Sequence, residues 1–379
     1  MNTQDAVVQE VEQQLVISSS VEPVILNLKL VLCEDIRAHV EEGIMSNKLG
    51  FAVEFVPQET YWQTTALGIL AEKYGFDYCW ITDHFNNRSV YVILSLLANY
   101  TDIIKIGPGV TNPYLINPVQ TASTLMSLDN LSGGRTILGI GAGDKITLNL
   151  LGIERTKPLT AVKESVQIFR TLFDTGKIKN FEGSVFKVEK AKIAFEKTGP
   201  LPIYIGAQGP KMLELAGSMG QGVLVNASHP RDFEFASKCI KKGITEAKRK
   251  SSEVDIAAYA SVSVDQKLDK ASKAATPVVA FIVAGSPPVV LERHNITTES
   301  VKPIADALAK GDFPTAFGAV TDDMLDAFCI RGTPTECTEK IAALQKVGIT
   351  QFVFGSPIGP KKRVSMELAS KEILPHFEK

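Results

Sequence analysis

The residues of this chain that could do chemistry gather where short apolar runs end. Glu54 lies inside the run Gly50 to Val56, in phase with Ala52 and Val56, which are too small or apolar to pair with it. Later runs open into Thr82-Asp83-His84, Gly107-Pro108-Gly109-Val110-Thr111-Asn112, Gly141-Ala142-Gly143-Asp144-Lys145, Gly206-Ala207-Gln208-Gly209 and Gly355-Ser356-Pro357. Glycines reach backbone dihedrals closed to other residues and let the main chain approach a ligand without a Cβ in the way. Amides from several such corners around one mouth can hold an anionic phosphate at a helix start, with no Walker-type loop. Other readings stand beside these. The Gly107-Pro108-Gly109 corner also suits an ordinary strand-to-helix loop, Asp144 a helix cap, and His84 a loop histidine bonded to backbone. His229, before Pro230, reads as a helix-start residue, and Cys79 as core packing.

Composition narrows the partners. The 379 residues are 45% hydrophobic and 22% charged, enough to bury a large core, and 40 Lys+Arg against 42 Asp+Glu give a net charge of −2. Basic residues cluster only at Lys241-Lys242 and Lys248-Arg249-Lys250, so neither nucleic acid nor an anionic membrane is favoured, and a small molecule is the expected partner. Five scattered cysteines without a CxxC pair predict reduced thiols and a cytoplasmic protein. Five histidines far apart, with no HExxH spacing, predict no metal. Residues 1–44 are acidic and polar at first, then apolar only from Val24 to Leu32 with Asn27 and Lys29 interrupting, which neither targets nor spans. They read as an appendage: a docking arm, a frayed tail, or an upstream start ahead of Met45. Residues 45–379 read as one domain.

Strands and helices must position those corners. Strand patterns at Gly50 to Val56, Asp77 to Ile81, Ile103 to Gly107, Arg135 to Ile140, Pro202 to Ile205, Gly222 to Val225, Asp255 to Val264 and Gln351 to Phe354 alternate with helical ones. A charged, irregular insertion precedes Pro202, and a long helical, proline-interrupted segment spans Lys267 to Val347. Eight strand–helix units predict an α/β protein whose parallel sheet closes into a (β/α)8 TIM barrel with insertions; a doubly wound open sheet is the alternative. The Rossmann-like Gly139-Ile140-Gly141-Ala142-Gly143-Asp144 is set aside because Asp144 stands where the third glycine must pack. In a barrel the site lies at the carboxyl ends of the strands, and both faces of each strand are covered, which favours a functional Glu54 over an edge acid.

The stretches EFVP from Glu54, WITDHFNN from Trp80, GPGVTNPY from Gly107, GIGAGDK from Gly139, IGAQGPKML from Ile205, FIVAGSPP from Phe281 and FGSPIGP from Phe354 carry a resemblance. From about Met45 to the end, the chain resembles the 5,10-methylenetetrahydromethanopterin reductase family of methanogenic archaea, coenzyme F420-dependent members of the luciferase-like barrels. The resemblance implies a deazaflavin bound at the carboxyl face, a pterin substrate, no metal, and a homodimer or homotetramer. It makes Gly109-Val110 a cis peptide whose bulge backs the deazaflavin ring. It implies that Asp83, Thr111, Gly143, Ala207 and Gln208 contact the cofactor, with the Gly206 to Gly209 loop near the phosphate of its tail. It places Glu54 and Asp144 at the two acidic catalytic positions; His84 and Asn112, at the exits of the second and third strands, are expected near the substrate. Two departures are the N-terminal appendage and Ala142, where many relatives have proline.

The reaction explains the acids. Reducing the methylene bridge to methyl requires the five-membered ring to open, which a proton on the departing nitrogen assists, and a hydride then reaches the methylene carbon. A carboxyl buried among apolar groups resists ionisation and can deliver the proton, while a more solvated carboxylate steadies the cationic carbon. The alternatives are a deazaflavin- or FMN-dependent barrel enzyme acting on an alcohol or sugar phosphate, an FMN monooxygenase of the luciferase type, or a flavin-binding relative without activity.

Overall fold

The computed structural model describes residues 48–377, so the expectations placed on residues 1–44 fall outside the described residues. The elements run β1 (Gly50–Phe55), α1 (Tyr61–Lys73), β2 (Tyr78–Ile81), α2 (Val90–Tyr100), β3 (Lys105–Pro108), α3 (Pro118–Leu131), β4 (Leu138–Ile140), α4 (Lys145–Leu150) and α5 (Pro158–Thr175). After them come β5 (Lys177–Glu182), β6 (Lys187–Lys192), β7 (Ile203–Gly206), α6 (Pro210–Met219), β8 (Gly222–Val225), α7 (Pro230–Glu246) and β9 (Asp255–Val264). The last third holds α8 (Leu268–Gly285), α9 (Pro288–Arg293), α10 (Thr298–Ala309), α11 (Phe313–Gly318), α12 (Asp322–Phe328), β10 (Ile330–Gly332), α13 (Pro334–Lys346), β11 (Gln351–Ile358) and α14 (Lys362–Glu372).

Phe51, Val53 and Phe55 of β1 pack outward against helices, while Ala52 joins an inner cluster with Trp80, Ile137, Tyr204, Leu224, Ala257 and Val353. This strand therefore buries both faces, as a parallel strand covered by helices must. The hydrogen-bonded order β3-β2-β1-β11-β9-β8-β7-β4 is closed by bridges from Ile106 to Thr136 and from Thr111 to Ile140. The result is an eight-stranded parallel TIM barrel. Its inner cluster is a packed plug whose polar tips are satisfied: Trp80 Nε1 donates to Gln351 Oε1 at 3.2 Å and the Tyr204 hydroxyl to Asp255 Oδ2 at 2.5 Å. Two residues beyond Ala52 on the same face, Glu54 stands above this plug, towards the carboxyl end.

Four sequence expectations change. The third strand begins at Lys105 rather than Ile103, because the Glu72 carboxylate takes the amides of Asp102, Ile103 and Ile104. The fourth is only Leu138–Ile140, with Thr136 contributing an isolated bridge. The charged insertion is an antiparallel hairpin of β5 and β6, whose turn amides at Ser184, Val185 and Phe186 are accepted by Glu164. The long helical segment hides a ninth strand, β10, paired with β9 outside the ring. Most of its helices share a second apolar core around Val279, Val283, Ile304 and Phe328. No described helix is long and apolar enough to cross a membrane.

Candidate active site

A cavity of about 790 Å³ opens at the carboxyl ends of the barrel strands, within the size range of small-molecule sites. Its wall brings together Glu54, Asp83, His84, Gly109, Val110, Asn112, Gly143, Asp144 and the 206–209 loop, contributed by four strand exits besides β1 itself. Thr111 is off the wall. It is 2% exposed, its N–H donates to the Gly139 carbonyl and its own carbonyl accepts from Gly141 N, so it joins β3 to β4 behind the cavity.

Glu54 is buried, and contrary to expectation it has partners for both oxygens. The Thr82 hydroxyl donates to Oε1 at 2.5 Å and the Ser356 amide to Oε2 at 2.9 Å. Neither was visible from the sequence, since Thr82 arrives from the next strand and Ser356 from the last. Gly355, beside it, stays a glycine because a Cβ there would lie 2.5 Å from the Ala260 carbonyl.

Gly109-Val110 is a cis peptide. The Val110 side chain fills space that glycines leave open: a Cβ on Gly141 would lie 2.8 Å from Val110 Cγ2, and one on Gly139 3.1 Å from Cγ1. On the other side the Tyr259 hydroxyl donates to the Gly109 carbonyl at 2.9 Å. Burial pushes this phenol well above its ordinary range, and the charge of Glu54 adds to the shift, so it remains a neutral donor. Sequence reading missed Tyr259, whose alternation with Ala257 along β9 was the available signal.

Three further ionisable groups differ in environment. Burial raises the Asp83 carboxyl above the usual range, only partly offset by a hydrogen bond from Thr111 and the field of His84. Asp144 is exposed and caps α4, accepting from Thr147 N at 2.6 Å. Partial burial would raise it, but hydrogen bonds from Thr147 and Ile146 outweigh that and hold it below the usual carboxylate range. His84 bonds Asn86 Oδ1 through Nδ1 at 2.6 Å and the Thr147 hydroxyl through Nε2 at 3.0 Å, bridging two exits rather than bonding backbone. Asn112 Oδ1 accepts from the amides of Tyr114 and Leu115, so that oxygen shapes its own loop. Val278 and Ile282, one turn apart on α8, add an apolar section of wall from the helical insertion.

The arrangement suits a planar, largely apolar ring with an anionic tail. The wall offers peptide edges and Val110 at the centre, and the 206–209 loop leads into the start of α6. Among the described residues no group of three or more His, Cys, Asp or Glu is placed to hold a metal ion.

A family model for luciferase-like monooxygenases matches residues 46–351. The chain is 52% identical over 332 residues to the 5,10-methylenetetrahydromethanopterin reductase of Archaeoglobus fulgidus, covering 86% of this chain and 99% of that one. With the enzyme of the same name from Methanolobus tindarius it shares 51% over 325 residues, again covering 86% and 99%. The solved coenzyme F420-dependent tetrahydromethanopterin reductase from Methanopyrus kandleri matches at TM-score 0.84 and 44% identity, over 87% of this chain and 99% of that one. An F420-dependent secondary alcohol dehydrogenase, 22% identical with TM-score 0.73, shares the fold over 88% of this chain and all of its own. The chain belongs to the 5,10-methylenetetrahydromethanopterin reductase family of luciferase-like proteins.

Proposed function

We propose that this protein reduces 5,10-methylenetetrahydromethanopterin to the 5-methyl form with reduced coenzyme F420. The observation that carries this reading is one cavity wall holding a buried carboxyl, a solvated carboxylate and a glycine-walled valine bulge, in a chain 52% identical to a reductase of that name. Gly109, Val110, Gly143 and the 206–209 loop would hold the deazaflavin, which when bound supplies the hydride. Asp83 flanks that position.

Glu54 is the proton donor in this reading. With Oε2 engaged by the Ser356 amide, the proton would leave from Oε1, beside a Thr82 hydroxyl able to donate to the carboxylate or accept from the acid. Moved to the departing ring nitrogen of the pterin, that proton opens the five-membered ring. Asp144, kept ionised by its capping bonds, steadies the cationic carbon. Tyr259 fixes the Gly109 carbonyl and so the bulge behind the ring. The same reading places the protein in the cytoplasm as a homo-oligomer and makes residues 45–379 the catalytic unit.

The test is turnover and binding with each cofactor in parallel. Deazaflavin quenching and methylene reduction with reduced F420, with little activity from FMN, are expected; equal turnover with FMN would overturn the reading.

A further inference from the structure

Arg155 precedes α5 and supplies the cavity wall with its single Lys or Arg side chain among the described residues. The other formal charges on that wall are the carboxyls of Glu54, Asp83 and Asp144. Arg155 is therefore the one Lys or Arg of the wall that an anionic ligand group can meet. The guanidinium is fixed in advance: Nη1 donates to the Gly143 carbonyl at 2.8 Å, and the next residue is pinned by the Tyr114 hydroxyl, which donates to the Thr156 carbonyl at 2.6 Å. That bond uses one of five N–H donors, and no carboxylate of the described residues pairs with this arginine. Because β4 pairs with β7, the Gly143 corner stands beside the 206–209 loop, so the cation and the turn at Gln208 and Gly209 share one side of the mouth.

We propose that Arg155 is the anion anchor of the cavity and takes a phosphodiester of the ligand, carried by the side chain of the deazaflavin or by that of the pterin. The proposal rests on the reductase reading. A guanidinium with two or more free donors matches two phosphate oxygens, and its prior fixation lowers the entropy lost on binding. Lysine in its place keeps the charge but not the fork.

The experiment titrates wild type, Arg155→Lys and Arg155→Gln with F420 and with the tail-less riboflavin-level deazaflavin by fluorescence quenching, and measures KM for the pterin. If the cofactor carries the group, Arg155→Gln weakens F420 binding by about tenfold to a hundredfold, Arg155→Lys by less, and tail-less binding is unchanged. If the pterin carries it, F420 binding stays constant and the pterin KM rises by a similar factor. A wild type that binds F420 and variants within twofold of it in every arm would overturn the anchor while leaving the reductase reading intact. A wild type that binds neither deazaflavin would overturn both.

Discussion

At the amino end of the barrel, Arg135 donates to the carbonyls of Ser132, Ile104, Ala98 and Thr101 and to the Thr101 hydroxyl, and Arg249 to those of Gly217, Gly220 and Glu253. At the carboxyl end Arg155 gives one bond, to Gly143. Acids divide the same way: Glu72 takes three consecutive amides of the loop before β3, whereas Asp144, exposed beside the cavity, bonds only within the first turn of its own helix. Arg135, Arg249 and Glu72 at the amino end close the ends of the chain's own elements, whereas Arg155 at the carboxyl end keeps donors available. Conserving stability at one end and chemistry at the other is the division expected of a barrel whose loops build the site.

Glu54→Gln should break the comparison most sharply. Glutamine can accept from Ser356 N through its oxygen and donate to the Thr82 hydroxyl through its amide, so the unfolding midpoint and F420 affinity should hold. Turnover should fall about 10²–10⁴-fold, roughly 3–5 kcal/mol of barrier, because the transferable proton is gone. Near-normal turnover would move the donor role, with Asp83 first in line since burial already lifts its pKa.

Arg135→Leu is the mirror case. It strips partners from four carbonyls at the amino end and should cost about 3 kcal/mol by denaturant unfolding, with activity per folded molecule unchanged. A matching loss of kcat would mean the two ends are coupled.

Asp144→Asn should lower turnover by about tenfold, while stability moves by no more than about 0.5 kcal/mol because asparagine caps as well as aspartate. A fall in midpoint without a fall in rate would make Asp144 a cap only. Since its folded pKa is depressed, its charge is complete above the ordinary carboxylate value of about 3.9 and is lost only as pH drops below it. Any acidic limb of the rate profile between about pH 5 and 7 must then belong to another group.

Starting the chain at Met45 should change nothing, since the match to the family model begins at residue 46. Steady-state rates of the shortened and full chains measure this, and a lower rate with an intact unfolding transition would add the first 44 residues to the site.

Much of this was legible from local pattern. Alternation of apolar runs with helical periodicity marked all eight ring strands, and glycine corners after them marked most of the wall, because both depend on residues close in sequence. The hairpin of β5 and β6 and the ninth strand were not, since Lys-rich strands with exposed faces and a three-residue strand carry almost no periodic signal. Glu54 shows the limit well. Sequence placed it inside the first strand in phase with Ala52, and only the closed ring decided that Thr82 and Ser356 would bind its two oxygens. Thr111 shows the converse, a polar residue in a site loop that strand closure buried behind the cavity wall. Tyr259 was silent because it acts on a corner far along the chain, and both it and Arg155 act through a carbonyl that any residue could present. Residue type and spacing therefore determined the barrel and the chemistry within its reach, while the partners of each charge were decided by strand neighbours, which exist only once the sheet has closed.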